Sequence, residues 1–195
     1  MVRDAVATKK RLLDAAAAEF AEFGIAGARV DRIALAAKAN KSMIYAYFGD
    51  KGQLFDAVFS AHVVAFTEQV RFDATDLPGY AGRSFDLYED NPATLRLATW
   101  YQLERPDGEP LQVVVASNRS KLADIERAQR SGVLPTRFEP VELLTVVRSV
   151  AMSWHTQTPE LGASAPPRTG PAGARLSSTP CAFSSAAEAR HATTA

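Results

Sequence analysis

The sequence predicts an all-α protein: a three-helix head carrying a helix-turn-helix, a long helix leading out of it, and a larger helical domain beyond. Three observations predict this. Apolar residues recur at three- and four-residue spacing as far as about residue 157. No stretch alternates apolar and polar residues in the two-residue period of a half-buried strand. From Val30 to Leu54, two short amphipathic segments flank a polar turn, and a capped third segment follows directly.

Thr8 is read as the N-cap of the first helix, which runs from Lys9 to Gly24 and is rich in alanine, leucine and glutamate. Its buried face would be Leu12, Leu13, Ala16, Phe20 and Phe23, with Gly24 at the left-handed C-terminal position. Val30, Ile33, Ala34 and Ala37 share one face of the second helix. Asn40 then caps a third helix, Lys41 to Phe48, in which Ile44 and Phe48 point inward. That leaves Lys41, Ser42, Tyr45 and Tyr47 on or near the exposed side, a set suited to phosphates and base edges. The alternative is that the tyrosines simply pack against the first helix.

Asp50 and Gln53, three apart, read as an acidic capping box, so Lys51 opens the fourth helix at an end whose amides favour an anion. This helix, 51–72, carries a stripe of Leu54, Phe55, Val58, Phe59, Val63, Phe66 and Val70, too wide for a small head alone. It is expected to bridge to a second domain. Pro78, Gly79 and Gly82 mark 73–84 as a loop, and helices are expected at about 79–91, 92–105, 111–132 and 140–157. From Gly162 onward, prolines and glycines accumulate and apolar periodicity fades, so 162–195 is expected to be a disordered tail. The expected division is therefore 1–52 for the head, 53–161 for a regulatory and dimerisation domain, and 162–195 for the tail.

Net charge is zero over 195 residues, but residues 1–52 hold nine Lys or Arg against six Asp or Glu, a net +3. A basic head on a neutral protein suits phosphate binding. Cys181 is the sole cysteine, so no intramolecular disulfide can form, which fits a reducing cytosol. With no apolar run of membrane-spanning length and no apolar signal core, the expected location is the cytoplasm, with no membrane partner. His62, His155 and His191 are scattered, no metal-ligand or nucleophile motif occurs, and Asp86, Glu89 and Asp90 read as a solvated face. No catalytic residue, metal or cofactor is assigned, and an enzyme is not expected.

The run Ile33-Ala34, the turn from Lys38 to Asn40, Ile44-Tyr45-Ala46-Tyr47-Phe48 and Lys51 resembles the recognition segment of the tetracycline-repressor (TetR) family. Phe20 and Gly24 of the preceding helix fit as well, and the likeness covers about the first quarter of the chain. Two positions depart from the family's pattern. Lys38 stands where a turn glycine is usual, at a cost of ~1 kcal/mol for a left-handed residue. Arg29 stands where a capping threonine is favoured, which removes a cap worth roughly 1 kcal/mol and adds a cation near phosphate.

The resemblance implies a homodimer on a double-stranded DNA operator. Arg29, Lys41, Ser42, Tyr45, Tyr47 and Lys51 would touch DNA, and base reading would fall to Lys41, Ser42, Met43 or Ala46. It further implies a small-molecule effector held among the helices of the second domain. The candidates there are Phe59, His62, Phe66, Phe85, Tyr88, Trp100, Tyr101 and Trp154, with Arg96 and Asn118 as further polar handles; ordinary core packing is the competing reading. Members of the family pair through their last two long helices; the helix from Pro140 fits the first of these, and no second is evident. Two functions remain open: a ligand-responsive repressor, or a small-molecule-binding or interaction protein of the same descent with impaired DNA binding or dimerisation.

Overall fold

Helix-forming composition and three-to-four spacing produce helices throughout. The computed structural model describes residues 2–105 and 108–164, and every regular element among them is helical. The order is α1 (Val2–Gly27), α2 (Val30–Ala36), α3 (Lys41–Phe48), α4 (Lys51–Gln69), α5 (Leu77–Asp90), α6 (Pro92–Glu104), α7 (Gln112–Arg130), α8 (Pro140–Ser153), a 3-10 turn (Trp154–Thr156) and α9 (Pro159–Ser164). No helix among the described residues is long and apolar enough to cross a membrane.

By internal contacts the chain forms two units. One comprises the described residues of Met1–Gln69 and Asp90–Ser120, the other those of Val70–Glu89 and Lys121–Ala195. This division asks which residues pack together, whereas the one expected at 52/53 separates tasks. It places the whole of α4 with the head.

The first unit is built on a seam between α1 and α4. Leu12, Ala16 and Phe20 of α1 meet Leu54, Phe55 and Val58 of α4, and Ile33, Ala34, Ile44 and Phe48 dock α2 and α3 onto the same core. Phe20 and Phe55 pack edge to face with centroids 5.1 Å apart, a favoured aromatic geometry. The breadth of the α4 stripe has a local explanation. Phe59 stacks on Tyr101 of α6 at 4.2 Å, so α6 covers the part of α4 that α1 does not.

Helix α6 also grips the end of α1. Trp100 donates its indole N–H to the Ala21 carbonyl at 3.4 Å, and Glu104 accepts the Ala26 amide at 2.8 Å. Between them Gly24 turns the backbone at φ +69°, and a Cβ there would lie 2.5 Å from Glu104 Oε1 and 3.0 Å from the indole. Glycine is required both for the conformation and for the close approach. Arg105 pairs with Asp56 of α4 at 2.7 Å. Burial outweighs the attraction of Arg105, with Asp50 adding repulsion, and Asp56 stays above the usual aspartate range.

In the second unit, Ile125 and Ala128 of α7 pack with Leu143 and Leu144 of α8 and with Ala74, supported by Phe72, Leu122, Leu134 and Phe138. Gln129 donates to the carbonyls of Pro135 and Phe138 at 2.9 and 2.7 Å, fixing the α7–α8 connection.

Several expectations are corrected. Thr8 is not a cap: α1 begins at Val2, and Thr8 is buried within it with its hydroxyl accepting from Arg11 at 3.0 Å. Phe23 is exposed rather than core, and the Arg32 guanidinium lies 4.1 Å from its ring centre. Pro78, Gly79 and Gly82 lie inside α5, because Asp76 accepts the Gly79 amide at 2.8 Å and starts the helix before them. Helix α4 stops at Gln69, and α8 gives way to a 3-10 turn at Trp154. Gly162–Ser164 complete α9, which Pro159 opens; the rest of the expected tail lies outside the described residues.

Phe55 is fully buried at the point where α1, α4 and α6 meet. Replacing it with alanine is expected to lower unfolding free energy by about 3–5 kcal/mol. Denaturant titration followed by helical circular dichroism measures this, and a loss below about 1 kcal/mol would show that the seam does not carry the head.

Candidate nucleic-acid interface

The helix-turn-helix is made by short-range capping on a long-range core. Helix α2 ends as the Ala37 and Ala39 amides bond back to Ile33 and Ala34, and Lys38 takes φ +51°. The turn thus forms with lysine in the left-handed region, as the sequence predicts. Asn40 accepts the Ser42 amide at 3.0 Å and caps α3. Gly49 closes α3 at φ +87°, and a Cβ there would strike the Gln53 side chain at 1.9 Å. The space is taken because Asp50 and Gln53 form the reciprocal box: the Asp50 amide reaches Gln53 Oε1 at 3.2 Å, and the Gln53 amide reaches Asp50 Oδ1 at 2.8 Å.

With Ile44 and Phe48 buried, α3 turns Lys41, Ser42, Tyr45 and Ala46 outward, while Met43 and Tyr47 are half-buried. The Tyr45 ring is 47 % exposed. Tyr47 packs partly on the core and lies edge-on to Phe48 at 6.2 Å, so the packing alternative holds for part of its surface.

Six cations of the head have partners within it. Lys41 pairs with Asp31 at 2.9 Å, tying α3 to α2. That bond and charge raise the ammonium above the usual lysine value and lower Asp31 below the usual aspartate value. Lys51 donates to the carbonyls of Ala26 and Ala28, both at 3.2 Å, closing the end of α1. Of the basic cluster in α1, Lys9 lies 5.6 Å from the Phe48 ring centre, Lys10 pairs with Asp14 at 2.7 Å, and Arg11 donates to the Ala37 carbonyl at 3.3 Å.

One organising residue was not singled out in the sequence. Arg29, at the N-cap position of α2, makes no side-chain cap bond. Glu19 of α1 holds this helix start from outside, accepting the amide of Arg29 itself at 2.8 Å and Arg32 Nε at 2.7 Å on the same oxygen, Oε1. The Glu19 side chain is only 9 % exposed. Burial pushes its pKa up, but the bonds from Arg32 and the Arg29 amide outweigh that and hold it below the usual value. The signal available in the sequence was the acid at position 19 on a partly inward face, opposite a helix start that lacks its own cap.

The aromatic candidates for an effector site are divided between the units. Phe59, His62, Phe66, Trp100 and Tyr101 belong to the first unit, and Phe85, Tyr88 and Trp154 to the second. His62 contacts the Val58 carbonyl through Nδ1 at 3.2 Å, and Arg96 pairs with Glu22 at 3.5 Å. In the second unit, Phe85 and Tyr88 of α5 are buried, and His155 sits 4.7 Å and 6.0 Å from their ring centres with Nδ1 3.3 Å from Glu89. Burial pushes the Tyr88 phenol up to about 12. No group of three or more His, Cys, Asp or Glu able to hold a metal ion occurs among the described residues.

A capped α3 seated on α1 and α4 with a polar, tyrosine-bearing face is the arrangement of a helix-turn-helix head, and comparison with known proteins decides the family. Residues 12–58 match the family described as bacterial regulatory proteins, tetR family, and residues 76–178 match the tetracyclin repressor-like C-terminal domain. The chain belongs to the TetR family. It is 37% identical over 161 residues to the HTH-type transcriptional repressor SCO4008 of Streptomyces coelicolor, covering 82% of this chain and 83% of that protein. The crystal structure of SCO4942, also from Streptomyces coelicolor, superposes with a TM-score of 0.76 at 40% identity, covering 87% of this chain and 94% of that one. FadR from Bacillus subtilis, in complex with stearoyl-CoA, shares the fold alone: its TM-score is 0.64 at 17% identity, covering 86% of this chain and 93% of that one. The C-terminal match reaches residue 178, so the change of composition at Gly162 is not where TetR likeness ends.

Lys38 is the one non-glycine residue with positive φ among those described. Lys38→Gly is expected to raise unfolding free energy by about 1 kcal/mol. Denaturant midpoints at unchanged slope measure it, and a destabilised variant would mean that the lysine side chain itself holds the turn.

Proposed function

We propose that this TetR-family regulator is a ligand-responsive repressor that works in the cytoplasm and binds a palindromic operator as a homodimer. The observation that carries the proposal is the outward face of α3: Lys41, Ser42, Tyr45 and Ala46 stand exposed on a helix held from behind by Ile44 and Phe48. Such a helix fits the major groove, with two copies in successive grooves about 34 Å apart. Lys41 and Ser42, with Met43 and Ala46, read base edges; Tyr45, Tyr47, Arg29 and Lys51 contact phosphates. Lys51 has two of its three ammonium donors on carbonyls of α1, which leaves one for a phosphate oxygen and aims it. Lys41 exchanges its exposed bond to Asp31 for DNA, a trade between two solvated pairs.

Dimerisation is assigned to α8, whose Val146 and Val150, four residues apart, are exposed together with Val141. An apolar stripe of this kind on the regulatory domain supports pairing with a second copy. Among the aromatic candidates, the buried pair Phe85 and Tyr88 of α5 supports an effector site in the second unit, where an effector would favour one of two states and so release the operator.

The test uses a duplex that the protein itself selects from a random-sequence library. Tyr45→Ala should weaken binding to that duplex by about tenfold, the scale of one lost contact, while leaving the thermal midpoint unchanged. Lys51→Ala should reduce the log–log salt slope by about one per phosphate contact removed, and it should also lower stability because two carbonyls lose their donor. Unchanged affinity and salt slope in both variants would contradict the contact assignment.

A further inference from the structure

We infer that Glu19, although outside the DNA-facing helices, is a positioning residue for DNA binding: from α1 it holds the start of α2 by accepting the amide of the cap residue Arg29 and the Arg32 guanidinium. This rests on the DNA-binding reading above and goes beyond it in naming what orients the head.

Helix α2 begins without a side-chain cap of its own. Helix α2 has only seven residues, too few to stand without an ordered start. Its cap residue, Arg29, has the extended backbone of a cap at φ −119° and ψ 120°, but no side-chain bond to the first turn. The only acidic residue in that turn, Asp31, is turned to Lys41 of α3. Glu19 fills the gap from ten residues upstream, with its carboxylate on the Arg29 amide at 2.8 Å and on Arg32 Nε and Nη2 at 2.7 and 2.6 Å. Arg32 in turn donates to the Gly27 carbonyl at 3.1 Å and lies over the Phe23 ring. One half-buried carboxylate therefore joins the last turns of α1 to the first turn of α2. The side chains of α2 are then joined to α3 through Asp31 and Lys41.

Two consequences follow for DNA. The Arg29 amide, at the positive end of α2, is occupied by Glu19 and is closed to phosphate. The carboxylate also stands where a phosphate would otherwise compete, and it sets the angle at which α2 presents Arg29 to the backbone.

The test compares the full-length wild type with Glu19→Gln, Glu19→Ala and the double variant Glu19→Ala/Arg29→Asn. Residue-resolved hydrogen exchange and binding to the duplex selected by the wild type are measured well below each thermal midpoint. Gln keeps an acceptor for the Arg29 amide and loses the charge facing Arg32; Ala loses both. The expected order of exchange protection in Val30–Ala36 is wild type, then Gln, then Ala, with α6 and α7 unchanged. Asn at position 29 restores a local cap and should return most of the protection in α2. Glu19→Ala should bind the duplex roughly five- to tenfold more weakly, the scale of a lost cap.

Unchanged protection of α2 in Glu19→Ala overturns the capping role. Protection lost evenly over the whole chain, or lost in α2 with duplex affinity unaltered, makes Glu19 merely structural and overturns the positioning role. Failure of the wild type to select any duplex would instead overturn the DNA-binding reading, and the positioning role with it, while exchange in α2 still decides the cap.

Discussion

Helices of seven and eight residues cannot hold themselves in water, and that constraint shapes the head of this protein. Everything α3 offers to DNA depends on surfaces and caps lent by neighbours. The seam of Phe20 against Phe55 gives α2 and α3 a wall to bury Ile33, Ile44 and Phe48 on. The caps then fix where each short helix begins and ends: Glu19 and Arg11 for α2, Asn40 and Gly49 for α3, and the Asp50–Gln53 box with Lys51 for the passage into α4. Apolar burial sets the stability of this arrangement, and the polar bonds set its register. The division is typical of sites that must be presented at one angle, since burial is non-directional and hydrogen bonds are not.

The same surfaces explain why recognition is economical in charge. Most basic residues of the head whose partners are on view are spent on carbonyls, rings or acids of the protein itself. Lys51, Arg11 and Arg32 each close a helix end or join two helices. A lysine that already spans two carbonyls has lost most of its rotamer freedom, so a phosphate contact made with its remaining donor costs less ordering on binding. Under the proposed contacts, structure and recognition share residues, and Lys51→Ala is expected to disturb both.

Much of this was legible in the sequence, and the reasons for the failures are physical. The two short helices, the Asn40 cap, the capping box and the strained Lys38 follow from local rules about side chains reaching backbone a few residues away. The α5 helix was expected from about residue 79 and begins at Leu77: Pro78, Gly79 and Gly82 read as a loop, whereas Asp76 caps the helix ahead of them. Phe23 was read as core from its place on the helix, yet α1 turns at Gly24 and its ring serves as a platform for Arg32. Glu19 was missed for a different reason: its partners lie ten and thirteen residues away across a chain reversal, so the uncapped start at Arg29 pointed to a missing acceptor without showing which acid supplies it. The aromatic candidates could be picked by type but not by place, since which helix covers the far side of the α4 stripe is a tertiary fact.

The most direct test of the central claim, that two copies present α3 to successive major grooves, is hydroxyl-radical footprinting of the wild-type protein on the duplex it selects. The account predicts two equivalent protected tracts centred about 10 base pairs apart, or a multiple of that, related by the two-fold axis of the site. A single tract, or protection spread without symmetry along the duplex, would contradict it.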